Sequence, residues 1–219
     1  MSKIPNDRRV IRTKKMIRSA LAELIEEKGF NNISITDITT RADINRGTFY
    51  LHYDDKYDLL RKIEEEVMAE LQYRIKIDDL YDSFDIDSTN YIDSIKKPIP
   101  FIIKIFEYFK ENSTFMKAIL GPNGDPNFQN KVKKLMETNL FEKQVIKAFK
   151  KENLLVPKEY FFSYVLSAHI GVLQQWLGSG MKESPTEMAL ILEKMFLLGP
   201  FRMTGIKSMV DLVILSNDS

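Results

Sequence analysis

The sequence predicts an all-α protein: an N-terminal three-helix unit built on a helix-turn-helix, linked by a long helix to a larger C-terminal helical domain. Three observations carry that prediction. Apolar residues recur at spacings of three, four and eight in successive windows, such as Ile17, Leu21, Leu24 and Ile25, or Leu59, Ile63, Val67 and Leu71, the period of a helix with one buried face. Helix-start chemistry stands at Ser34 with Asp37, at Asn45, and at Asp55 with Asp58. Between Ala42 and Asn45 the chain must reverse within a tight turn joining two short helices.

The first helix is expected from about Thr13 to Lys28, with Gly29 as its stop. Ser34 then caps a two-turn helix, because its hydroxyl can accept from the N–H near Asp37 while the Asp37 carboxylate reaches back. Ile35, Ile38 and Ala42 make its buried stripe, leaving Thr36, Thr39, Thr40 and Arg41 outside. Asp43 takes the corner, since Asp tolerates a left-handed backbone, and Ile44 plugs it. Asn45 caps a second helix, Arg46 to Tyr53, with Phe49 and Tyr53 on one face. Asp55 begins a third that runs to about Ile77 and leaves the small unit as a rigid connector. The domain boundary therefore falls between residues 1–54 and 55–219.

Residues 78–93 are acidic and irregular. A calcium loop starting at Asp85 fails, because the glycine required at its sixth position is Asn90 and the closing Glu is Lys96. Beyond Pro98 an apolar helix runs to Lys110 and a short one from Phe115 to Leu120. Gly121-Pro122-Asn123-Gly124 is a turn: no strand precedes it and no Gly-Lys-Ser/Thr follows. Val132, Leu135, Met136, Leu140, Val145, Ile146 and Phe149 indicate one long helix or two abutting ones to Lys151. The helix from Lys158 to about Leu177 is apolar on nearly all sides and must be buried on nearly all sides. The last strong helix runs from Thr186 to Leu198 and stops at Gly199-Pro200. The apolar half of the tail, Met209 to Leu215, fits an extra dimer contact and a frayed end equally well.

Composition excludes several classes. There are no cysteines, hence no disulfides or thiolate metal sites, and the two histidines, His52 and His169, leave little for a transition metal. We therefore expect no metal and no cofactor. No apolar run is long enough to span a bilayer, and no apolar stretch follows the basic N-terminus as in a secretory signal, so no membrane association and a cytoplasmic location are expected. No nucleophile motif is present, and the carboxylates lie in loops and on polar faces, so the chain is not expected to be an enzyme. The formal net charge of +1 conceals an asymmetry: residues 1–62 hold 13 Lys and Arg against 9 Asp and Glu, and the first 18 residues hold 7 against 1. Lys3, Arg8, Arg9, Arg12, Lys14, Lys15 and Arg18 form a basic arm suited to phosphates or an adjacent minor groove.

The run T-D-I-T-T-R-A-D-I-N-R-G-T-F-Y-L-H-Y-D-D-K-Y-D-L-L closely resembles the N-terminal DNA-binding region of TetR-type (tetracycline-repressor-like) transcriptional regulators. The resemblance covers Arg12 to Leu60. It departs from the family pattern at Asp43 for Gly, Asn45 for Ser and Tyr53 for Phe, substitutions that keep the mechanics. GPNGDPNF and QQWLGSGMKESPTEMA more loosely resemble the C-terminal region of one subgroup.

Chemistry and resemblance together give a set of expected DNA contacts. Arg9 and Arg12 belong to the basic arm, and Thr36 sits at a helix N-terminus that favours a phosphate. Arg46 can fork onto a guanine edge or a phosphate, Gly47 permits close approach, and Thr48 offers a hydroxyl and a methyl. The resemblance implies phosphate contacts for Tyr50, His52 and Lys56, and a base-reading position for Leu51. It further implies a homodimeric regulator on a pseudo-palindromic operator of double-stranded DNA, usually a repressor released by a small-molecule effector. Phe101, Phe106, Tyr108, Phe109, Tyr164 and Trp176 are the expected lining of an effector pocket. Phe162, Val165, Ile170, Gly171, Leu173, Leu190 and Met195 are expected at the dimer interface. The alternative is a TetR-like interaction protein acting through protein contacts with weak or no DNA binding, which Asp43 and the cluster Asp54, Asp55 and Asp58 favour.

Overall fold

The computed structural model describes residues 8–74, 98–138 and 155–205. Among the described residues all regular structure is helical: α1 (Arg8–Lys28), α2 (Ile35–Arg41), α3 (Arg46–Tyr50), α4 (Lys56–Arg74), α5 (Pro100–Glu111), α6 (Ser113–Leu120), α7 (Pro126–Met136), α8 (Lys158–Gly178) and α9 (Pro185–Met203). A 3-10 turn, Phe30–Asn32, links α1 to α2.

The expected boundaries move in three places. Helix α1 starts at Arg8, so most of the basic arm is the first turns of a helix. Helix α3 stops at Tyr50, because His52 N and Tyr53 N both close on the Phe49 carbonyl and turn the chain toward α4. Helix α9 breaks at Gly199, whose φ of 68° is left-handed, and the chain winds again to Met203. Its start is a second closed capping box, Ser184 with Glu187. Residues 78–93, the apolar positions Leu140, Val145, Ile146 and Phe149, and the tail from Met209 to Leu215 lie outside the described residues.

Helix α1 packs along both α2 and α6, and α4 lies against α5 and α7. Helix α8 covers α6 and α7, while α9 closes on α5. These contacts make one apolar cluster that runs from Ile17, Leu21 and Phe49 through Val67 and Leu71 to Met116, Ile119 and Trp176. Each such side chain, fully buried, stabilises by about 1.5–3 kcal/mol. The N-terminal three-helix unit is thus docked broadly on the remainder as well as tethered by α4. A smaller cluster, Phe101, Phe162, Val165 and Leu166, fills the space between α5 and α8. Buried Glu193 of α9 accepts the Ile99 N–H at the start of α5, and burial raises its carboxyl pKa against that hydrogen bond.

The Gly121–Gly124 turn fixes part of the docking. Its Asn123 Nδ2 donates to the Glu26 carbonyl near the end of α1 at 3.1 Å, and Lys117 lies 3.1 Å from the Glu26 carboxylate. A Cβ on Gly124 would lie 2.0 Å from the Ile119 carbonyl oxygen, so only glycine fits.

Candidate nucleic-acid interface

The helix-turn-helix is built by caps. Ser34 Oγ accepts from Asp37 N at 3.1 Å, and Asp37 Oδ2 accepts from Ser34 N at 2.7 Å, so the box closes both ways. Hydrogen bonds from Lys28 and Ser34 hold the Asp37 carboxyl far below its usual range. Asp43 carries the reversal at φ 51°, as its residue type suggests. Asn45 Oδ1 accepts from Thr48 N at 2.7 Å and from Thr48 Oγ1 at 3.0 Å. A Cβ on Gly47 would press on that oxygen at 3.3 Å, so this glycine serves the cap as well as any approach to a ligand.

A helix of five residues has no stability of its own. Phe49, wholly buried, anchors α3, with the Tyr50 and Tyr53 rings each 5.6 Å from its own. Burial pushes the Tyr53 hydroxyl up to about 12. The other side of α3 faces out: Arg46 and Gly47 are exposed, Tyr50 is 51% exposed and Leu51 80%. Thr48 is half-buried beside its cap and Thr36 is exposed at the start of α2. Thr39 departs from expectation: it is buried, and its hydroxyl donates to the Thr36 carbonyl.

Arg8, Arg9, Arg12, Lys14 and Lys15 are exposed on the first turns of α1. No ion pair with a described carboxylate neutralises Arg12, Lys14, Lys15 or Arg46. His52 is half-buried; burial first, then the charges of Lys14 and Lys62, lowers its pKa. Lys62 was not singled out in the sequence, although the Asp58–Lys62 spacing is an i, i+4 pair. Its ammonium donates to the His52 carbonyl at 3.1 Å and lies 2.8 Å from Asp58.

Two expected contacts are committed elsewhere. Lys56 donates to the carbonyls of Phe30, Asn31 and Ile33, at 3.2, 2.9 and 2.8 Å, instead of pointing free into solvent. Arg18 turns away from the basic arm toward α5 and α6, donating to Asn112 Oδ1 and stacking over Phe115. The acidic cluster is likewise occupied. Asp55 accepts from Tyr57 N and Asp58 N as the cap of α4. Asp58 pairs with Lys62 and Arg61 and accepts from Asp54 N, and Lys62 foremost brings its carboxyl down to about 2.

Most of the expected pocket aromatics form packed core. Phe106 meets Trp176 edge to face at 5.2 Å, Trp176 Nε1 donates to the Glu183 carbonyl, and Tyr108 and Phe109 are buried in the same cluster. Phe101 belongs to the smaller cluster, and Tyr164 is 59% exposed on the opposite face of α8. Among the expected interface residues, Phe162, Val165, Ile170 and Leu173 are buried against their own chain. Gly171 and Met195 face outward and Leu190 is half-buried. With Tyr160, Tyr164 and Ala168, Gly171 lies on an exposed α8 face that an inward-looking apolar count misses.

Comparison with known proteins agrees with this architecture. Residues 17–63 match the family model described as bacterial regulatory proteins of the tetR family, and residues 96–197 match that of a transcriptional regulator C-terminal region. The dhaKLM operon transcriptional activator DhaS of Lactococcus lactis is 36% identical over 66 residues, 30% of this chain and 35% of that protein. The transcriptional repressor BepR of Brucella suis is 31% identical over 65 residues, 26% of this chain and 31% of that protein. The chain spans between 17% and 35% of the length of the curated relatives it matches. The fatty acid degradation regulator FadR of Bacillus halodurans has the same fold: TM-score 0.59 at 16% identity, over 91% of this chain and 98% of that one. With matching models at both ends and the helix-turn-helix between α2 and α3, this chain belongs to the TetR family of bacterial transcriptional regulators.

Proposed function

We propose that the protein is a homodimeric, site-specific DNA-binding regulator, a repressor released when a small molecule enters its C-terminal region. The observation that carries the DNA reading is α3 itself: one side is locked by Phe49 and the Asn45 cap, and the other presents Arg46, Tyr50 and Leu51, with the charge of Lys14 on α1 acting on the adjoining His52. Arg46, Thr48 and Leu51 would meet base edges, while Thr36, Tyr50, His52 and Arg9 and Arg12 would meet phosphates. Lys56 is left out of this set because its donors are engaged within the protein. The partner is double-stranded DNA, so the protein would act in the cytoplasm; among the described residues no helix is long and apolar enough to cross a membrane.

A second copy would pair across the exposed face of α8 and the outer side of α9, bringing two reading helices roughly 34–36 Å apart on a pseudo-palindrome. Effector release requires tighter binding to the arrangement that does not fit DNA. Phe106 and Trp176 pack edge to face in this arrangement, so an effector entering between them would have to part the two rings. Repression agrees with BepR and release with the family, whereas DhaS carries the opposite sign. Two of the residues that favour the adaptor reading, Asp55 and Asp58, are engaged in capping and ion pairs, which supports the DNA-binding reading over it. A run-off transcription assay with the operator fragment tests the sign: added protein lowers transcript for a repressor, and a rise would refute repression.

A further inference from the structure

We infer that Lys56 is a positioning residue, which sets the frame of the helix-turn-helix from inside the protein and does not bind a phosphate. This rests on the reading of α3 as the DNA-reading helix. The Lys56 ammonium has three protons and no acceptor. It spends them on three converging carbonyls, Phe30 at 3.2 Å, Asn31 at 2.9 Å and Ile33 at 2.8 Å. Two rings wall the same site: Nζ lies 5.1 Å from the Phe30 centroid and 5.3 Å from that of Tyr57, and the rings meet edge to face. The charge is thus held by carbonyl dipoles and aromatic faces together.

The location gives this cage its consequence. The three carbonyls belong to the segment that ends just before Ser34, the cap of α2, and Lys56 is the first residue of α4. One ammonium therefore ties the chain entering the helix-turn-helix to the chain leaving it. Helix α3, five residues long, lies between the two tied points and takes its tilt from them. Lysine suits the place because an ammonium is a compact point donor, whereas a planar guanidinium cannot aim three donors at one convergent set of carbonyls.

The test uses the full chain with Lys56→Met and Lys56→Arg, each checked for folding by circular dichroism. A positioning role predicts that both variants lose about tenfold in affinity for the preferred site, equivalent to roughly 1.4 kcal/mol. Binding to random-sequence DNA, and the slope of log K against log salt, would stay near wild type. A phosphate contact predicts the reverse: Lys56→Arg binds like wild type, and Lys56→Met weakens all sequences alike with a salt slope smaller by about one. A second readout needs no variant and no DNA. In the free protein the Lys56 ammonium should give a slowly exchanging 15N–1H NMR signal coupled to the cage carbonyls, and a freely exchanging ammonium would overturn the inference. Failure of the wild-type protein to bind any fragment would overturn the reading of α3, and the positioning role with it, even where the ammonium is protected.

Discussion

Phe49→Ala tests whether the reader unit and the C-terminal region form one cooperative body. Phe49 is wholly buried and is the anchor of a five-residue helix, so its truncation removes a full aromatic side chain and leaves a cavity. Substitutions of this kind cost about 3–5 kcal/mol. For a chain of this size each kcal/mol lowers the melting temperature by about 2–4 °C, so a fall of about 6–20 °C is expected. The single tryptophan, Trp176, lies in α8, in contact with Phe106 and in the same apolar cluster as Phe49. Because that cluster is continuous from α1 to α9, tryptophan fluorescence and far-ultraviolet circular dichroism should melt together and shift together, measured at one protein concentration. A variant in which part of the circular dichroism signal melts early while the Trp176 midpoint stays at its wild-type value would refute this, and would make residues 1–54 an independently folding unit.

Other outcomes follow from single residues. Asn45→Ala removes the acceptor for Thr48 N and Thr48 Oγ1; it should cost about 0.5–2 kcal/mol in a urea titration and weaken DNA binding with it. Glu64 is buried on α4 with Oε2 2.6 Å from Lys131 and Oε1 unpartnered, and burial raises its pKa against the pull of Lys131, with Asp125 adding to the rise. The native state therefore holds the Glu64 proton more tightly than the unfolded chain does. Its contribution to stability declines as pH rises from about 4.5 through the raised folded value. Glu64→Gln should gain relative to wild type over that window, and parallel pH profiles of the urea midpoints would contradict the assignment. Arg46→Ala or Leu51→Ala should change which base pairs are enriched in a selection from random DNA, whereas Tyr50→Phe should weaken all sequences alike.

Local chemistry was legible in the sequence, and long-range commitments were not. The Ser34–Asp37 box, the left-handed Asp43 and the Asn45 cap each depend on neighbours within four residues, and the structure has all of them. Lys56, by contrast, meets carbonyls 23 to 26 residues away, and Arg18 meets Asn112 94 residues away. Nothing in helical periodicity distinguishes a lysine that will be enclosed from one that will stay in water. The same limit applies to α8. Its apolar count announces burial, yet only packing shows that Phe162 and Leu173 face their own chain while Tyr164 and Gly171 face out. Thr39 illustrates it on a small scale, since its hydroxyl is satisfied by the Thr36 carbonyl one turn back and so can enter the core.

The central claim is that α3 reads DNA, and its most direct test is binding of the purified protein to fragments of the DNA upstream of its own gene, at two salt concentrations, with wild type and Arg46→Ala side by side. The account predicts tight binding to one fragment, a steep loss of affinity at the higher salt, and weaker or redirected binding by the variant. A folded, dimeric protein that binds no fragment, or one whose binding ignores both salt and Arg46, would contradict it.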